Sequence, residues 1–149
     1  TARELRRRGV PAPLRLFAAA MRAPQVPPIN AGLHALPEDE FLAEVGRRYE
    51  AVPDEVVAEP DLMALLLPTL RADMLVCDTY TFTQEPRLDC PISVLAGDGD
   101  ANVSPEQLEG WSELGDGAAE EHWFQGEHFF MREQLAGVHA VVASGLQEA

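Results

Sequence analysis

Seven consecutive residues, Cys90-Pro91-Ile92-Ser93-Val94-Leu95-Ala96, form a near-continuous apolar run that stops at Gly97. A strand with one face in water alternates apolar and polar residues. One that is apolar throughout is covered on both faces, as in parallel sheets whose crossover helices lie on both sides. The residues that follow fit that reading. Ser104-Pro105-Glu106-Gln107 is a capping box with proline at the first helical position, opening a helix through Trp111. His122-Trp123-Phe124 reads as a second short strand. Met131, Leu135, Val138 and Val142, at i, i+4, i+7 and i+11, predict an amphipathic terminal helix.

Upstream, Pro13–Ala20 fits a short buried strand, and the proline-rich stretch over residues 23–37 a loop. Phe41, Leu42, Val45 and Tyr49 recur at helical spacing. Pro53-Asp54-Glu55 opens a second helix and Pro60-Asp61 a third. That third helix carries Leu62, Met63, Leu65, Leu66, Leu67, Leu70, Met74 and Val76, so it is expected to be buried or to cover something apolar, with a kink at Pro68. The order predicts an α/β fold with an open, mainly parallel sheet. A helical excursion over about residues 21–88 interrupts it. Connections in such sheets are usually far shorter, so an insertion of this size is expected to have a task, such as a lid. Thr1–Arg8 reads as the last turns of a helix before Gly9. The 149 residues are therefore expected to be the downstream part of one domain of a longer protein.

Composition closes several routes. Net charge is −14, which argues against nucleic acid as a partner. No apolar run approaches the ~18 residues needed to cross a bilayer, so no membrane segment is expected. Cys77 and Cys90 form no metal or disulfide pattern, so no metal is expected and a reduced cytoplasmic setting is the default. All eleven basic residues are arginine, and Arg3, Arg6, Arg7, Arg8, Arg15 and Arg22 crowd the first 22 positions. They form either a solvated helix face or a patch that meets an acidic partner or a phosphate.

In open parallel sheets, sites form outside the carboxyl ends of strands. Two loops qualify here: Gly97-Asp98-Gly99-Asp100-Ala101-Asn102-Val103 and Gly126-Glu127-His128. Both leave the same sheet edge, so Asp100 and His128 can meet. A carboxylate that accepts the proton on one ring nitrogen fixes the tautomer, and the other nitrogen then serves as base. Asp98 and Asp100 alone would be turn residues, and His128 alone a packed or surface histidine. Together they point to a base and its orienting acid, in the aspartate-then-histidine order of α/β-hydrolases. Ser93, Ser104, Ser112 and Ser144 lie in no Gly-x-Ser-x-Gly, so an upstream nucleophile is expected. His34, His122 and His139 are expected to have no role.

Leu36-Pro37-Glu38-Asp39-Glu40-Phe41-Leu42, Pro60-Asp61-Leu62-Met63, Leu66-Leu67-Pro68-Thr69-Leu70-Arg71-Ala72-Asp73, Leu88-Asp89-Cys90-Pro91-Ile92, Gly97-Asp98-Gly99-Asp100, Trp111 and Gly126-Glu127-His128-Phe129-Phe130 stand in this order along the chain. Together they resemble the type II (stand-alone) thioesterases of nonribosomal peptide and polyketide synthases. The resemblance implies the C-terminal part of an α/β-hydrolase domain with a helical lid, and a Ser-Asp-His triad whose acid and base are Asp100 and His128. It implies that Leu62, Leu66, Leu70 and Met74 of the lid bind the acyl chain. The implied partner is an acyl or peptidyl carrier protein whose phosphopantetheine arm carries the substrate, with no cofactor of the enzyme's own. The implied task is removal of aberrant or stalled acyl groups. Another α/β-hydrolase esterase or lipase, and a non-catalytic half-domain that binds a partner, are the alternatives. The family's upstream half, with the serine and an oxyanion-hole donor, has no counterpart in these residues. Glu127 stands where the family has glycine.

Overall fold

The computed structural model describes residues 2–28, 31–49 and 52–147. The chain divides into two compact units, one comprising the chain up to Val26 and from Thr83 onward, the other Pro27–Phe82. Thr1, which the sequence reading placed on the first helix, and Ile29 and Asn30 of the expected loop lie outside the described residues.

The first unit is built on three parallel strands: β1 (Leu16–Ala19), β2 (Ile92–Gly97) and β3 (Glu120–Phe124), in the order β1-β2-β3. Leu16 pairs with Ile92, and Ser93 with Glu120. Every residue of β2 is buried, as its unbroken apolar run requires. β1 is shorter than the eight residues expected. Pro13 has no N–H to give a ladder, and Ala20 turns out of the strand at φ 49° while its N–H still reaches the Leu95 carbonyl at 2.9 Å.

Helix α1 (Ala2–Arg7) precedes β1. Its arginines have a partner within the same unit. Arg6 and Arg7 donate to the Glu85 carboxylate at 3.1 and 2.6 Å, and Arg3 lies 3.7 Å from it. Arg3 also donates to the Thr83 carbonyl, and Arg6 to those of Pro86 and Arg87. Arg8 pairs with Glu4 at 2.7 Å.

After β2, Ser104 N–H donates to Gln107 Oε1 at 2.9 Å and opens α5 (Pro105–Glu109), which tightens into a 3-10 turn from Gly110. The expected terminal helix is split in two. Met131 belongs to a 3-10 turn over Phe130–Arg132, and the helix proper, α6 (Leu135–Gln147), starts four residues later. Leu135 is 54% exposed; Val138 and Val141 pack instead on the cluster of Ala20, Leu95 and Phe130.

The second unit holds α2 (Glu38–Tyr49), the one-turn α3 (Asp54–Val57) and α4 (Pro60–Thr79), with a 3-10 turn at Leu33–Ala35. Phe41 and Val45 of α2 are buried, as their spacing predicts. α4 runs unbroken through Pro68. It is not a buried helix: Met63 is its one buried residue, while Leu65 is 74% and Val76 67% exposed. The short neighbours in this unit cover only part of its circumference. Among the described residues, no helix is long and apolar enough to cross a membrane.

Candidate active site

β2 and β3 are adjacent and parallel, so the loops after Gly97 and Phe124 leave the sheet side by side. Their approach is close. A side chain at Gly97 would collide with the carbonyl oxygens of Gly126 and Glu127, so only glycine fits. Gly126 turns at φ 132°, a conformation that L side chains rarely adopt. Backbone bonds then fasten one loop to the other. Asp98 N–H donates to the Phe124 carbonyl and Gly99 N–H to that of Gly126, each at 2.9 Å. The Asp98 carboxylate accepts the Gly126 N–H at 3.0 Å. Asp98 is thus the fastener between the loops.

Asp100 and His128 meet as their strand-end positions suggest. His128 Nδ1 lies 2.9 Å from Asp100 Oδ2. Asp100 Oδ1 accepts the Asn102 N–H at 2.8 Å and the Asn102 side-chain amide at 3.2 Å. The Asp100 side chain is only 1% exposed and that of His128 22%. Burial pushes the Asp100 carboxyl up, but the hydrogen bond with His128 and those from Asn102 together hold it below the usual carboxylate value. Asp100 is therefore ionised and acceptor-only near neutrality. That makes His128 Nδ1 the donor and places the ring's lone pair on Nε2.

Phe130, the second aromatic after His128, stacks on Phe124 with centroids 5.3 Å apart and enters the core. Phe129 stays beside the histidine, 5.1 Å between ring centroids at 79°. Glu127 is exposed. Asn102 and Phe129 stood in the quoted loop and motif, but neither was given a role from the sequence. The spacing Asp100-Ala101-Asn102, an aspartate that folds back on the N–H two residues on, was the available signal for the first.

The second unit contains another aspartate–histidine pair, which the sequence did not announce. His34 Nδ1 lies 2.7 Å from Asp78 Oδ2, and the His34 N–H donates to the same oxygen at 3.2 Å. Arg71 donates to the carbonyls of His34 and Leu36 and lies 4.5 Å over the Phe41 ring. This pair clasps the 3-10 turn to α4. Leu62, Leu66, Leu70 and Met74 follow one another at four-residue spacing on α4; Leu62 is 47% exposed and Leu70 and Met74 are half-buried.

The family model described as a thioesterase domain matches residues 1–144. This chain belongs to the thioesterase family. Its relatives include the gramicidin S biosynthesis protein GrsT of Aneurinibacillus migulanus, 33% identical over 89% of this chain and 51% of that protein. Thioesterase PikA5 of Streptomyces venezuelae is 30% identical, with 100% of this chain and 54% of its own length covered. The solved structure of the type II thioesterase BorB, from the borrelidin biosynthetic cluster, superposes with a TM-score of 0.79 at 29% identity, over 98% of this chain and 56% of that one. This thioesterase chain thus spans about half the length of the curated relatives it matches. Its three parallel strands and flanking helices are part of a thioesterase fold of the α/β-hydrolase type.

Proposed function

We propose that the protein containing this chain is a type II thioesterase that hydrolyses aberrant or stalled acyl groups from the phosphopantetheine arm of acyl or peptidyl carrier proteins. The observation that carries the reading is the Asp100–His128 pair, 2.9 Å apart at the carboxyl ends of adjacent parallel strands. The biosynthetic relatives support the substrate class.

In this reading a serine from upstream residues attacks the thioester carbonyl while His128 Nε2 takes its proton. The C–S bond breaks, and the imidazolium returns that proton to the leaving thiolate of the arm. His128 then deprotonates a water that attacks the acyl-serine, releasing the acid and restoring the serine. Asp100 keeps the proton on Nδ1 throughout and stabilises the imidazolium by its charge. Residues 38–84 act as the lid, with Leu62, Leu66, Leu70 and Met74 as the acyl-binding face. The phosphopantetheine arrives on the substrate, the enzyme needs no cofactor of its own, and it works in the cytoplasm.

The test is turnover of acyl-carrier, acyl-CoA and simple oxoesters by the full-length protein. The carrier-bound thioester is expected to be cleaved with the highest kcat/KM, and His128→Ala to lower kcat at least about a thousandfold. Near-normal turnover by His128→Ala ends the assignment of the base. Preference for the oxoester makes the protein an esterase instead.

A further inference from the structure

The hydrogen bond that His128 Nδ1–H donates to Asp100 fixes one atom of the ring, Nδ1. A bond at one atom does not by itself fix the plane of an imidazole, and rocking about that atom swings Nε2 away from any group it must reach. Positioning of a reacting group to within about 0.5 Å requires a second restraint. The structure holds one. The Phe129 ring stands against the imidazole at 79° with 5.1 Å between centroids, inside the range of favourable perpendicular aromatic contact.

Phe129 is itself held from two directions. The next residue, Phe130, is 1% exposed and anchors the backbone in the core, while Phe130 N–H donates to the Glu127 carbonyl at 3.0 Å. The 3-10 turn that starts there brings residues three apart into line. Arg132 N–H accordingly bonds the Phe129 carbonyl at 2.9 Å, and the Arg132 guanidinium lies 4.4 Å from the Phe129 ring centre. The buried Phe130 beside it, the 3-10 turn and the Arg132 cation thus bracket the ring that stands against His128.

We propose that Phe129 is a positioning residue that fixes the plane of the His128 imidazole, with Arg132 fixing Phe129 in turn. This rests on the reading of His128 as the base. It differs from a role in lining a substrate channel, which would act on binding rather than on turnover.

The experiment uses the full-length protein and an acyl-CoA substrate. Phe129→Leu is expected to lower kcat about tenfold to a hundredfold with KM unchanged within about twofold, the scale set by misplacing a reacting group by about 1 Å. Phe129→Tyr restores most of the rate. Arg132→Gln, which leaves the ring in place but unlocks it, lowers kcat only about threefold, consistent with a modest exposed cation–π contact. The downfield proton resonance of the His128 Nδ1–H is expected to be sharp in the parent and broadened in Phe129→Leu. A raised KM with unchanged kcat would make Phe129 a channel wall. An unchanged kcat with an unchanged resonance would also overturn the proposal. If Phe129→Leu does not fold, Arg132→Gln with parental kcat and resonance overturns it alone. Full turnover by His128→Ala, by contrast, removes the functional reading itself.

Discussion

Asp100 carries two different obligations. As the partner of His128 it decides the tautomer; as a nearly buried carboxylate it holds its own loop through Asn102. Asp100→Asn keeps the shape but offers an amide where the imidazole needs an anion. In the full-length protein this should lower kcat by about 10⁴-fold. The folded carboxyl sits below its ordinary value of 3.8, so its stabilising contribution is complete above that value and is lost as pH falls through the lower folded value. The stability gap between the parent and Asp100→Asn should therefore shrink as pH falls below about 4. Denaturant melts between about pH 5 and pH 2 read this directly; a gap that grows as pH falls below about 4 contradicts the sign. The pair was legible because strand-end loops and chain order agreed, and the choice of Asp100 over Asp98 leaned partly on the family resemblance. Arg15 was not. It was read as one of a surface cluster, yet its side chain is 5% exposed and crosses the sheet to bond Ser93 Oγ at 2.8 Å and the Glu120 carboxylate at 2.7 Å. Nothing local marks an arginine whose partners lie 78 and 105 residues away. Arg15→Met should cost about 1–3 kcal/mol, because it strands the buried Ser93 hydroxyl. A urea melt that shifts by less than a few tenths of a kcal/mol would refute that.

The elements show where periodicity suffices and where it fails. β2 and α2 follow their apolar spacing: every residue of β2 is buried, and so are Phe41 and Val45 on the apolar face of α2. α4 does not, because the spacing reports how much apolar surface a helix offers and not how much a neighbour covers. α1 is informative in the opposite sense. Its arginines are neither a merely solvated face nor a free patch; three of them converge on Glu85 and hold the 83–87 segment through backbone carbonyls as well. The Glu85 carboxylate is half-buried but reaches solvent beside Arg7, and charge–charge contacts at such a surface are weakened by salt. Glu85→Gln should therefore raise hydrogen exchange in residues 83–88 and in α1 at low ionic strength. About 0.5 M salt should bring the parent close to the variant, since screening removes the same contacts. Exchange in the variant that matches the parent at low salt would show that the carbonyl contacts alone suffice.

At the scale of the whole molecule, the sheet sets the strongest demand. β1 is four residues long and, among the described residues, pairs with β2 alone, leaving its outer edge without a strand. Yet Phe17, Ala19 and Ala20 belong to the apolar cluster around Leu95 and Phe130, so β1 is part of the core and not a trimmed border strand. Natural edges are protected by charge, proline or a bulge, and Leu16-Phe17-Ala18-Ala19 has none of these. Sequence alone could place the strands along the chain but could not say what pairs beyond them, because the pairing partner of an edge leaves no trace in the strand itself. The curated relatives it matches are about twice as long as this chain. Residues 1–149 produced alone should therefore unfold over a broad thermal range and bind a hydrophobic dye, whereas the full-length protein should unfold in one sharp transition without dye binding. Self-repulsion from the net charge of −14 is a competing cause of such looseness. Salt separates the two: it relieves repulsion but pairs no strand, so added salt should leave the fragment's melt broad. A sharp, dye-free transition from residues 1–149 at low salt would mean that β1 needs no neighbour on its outer side.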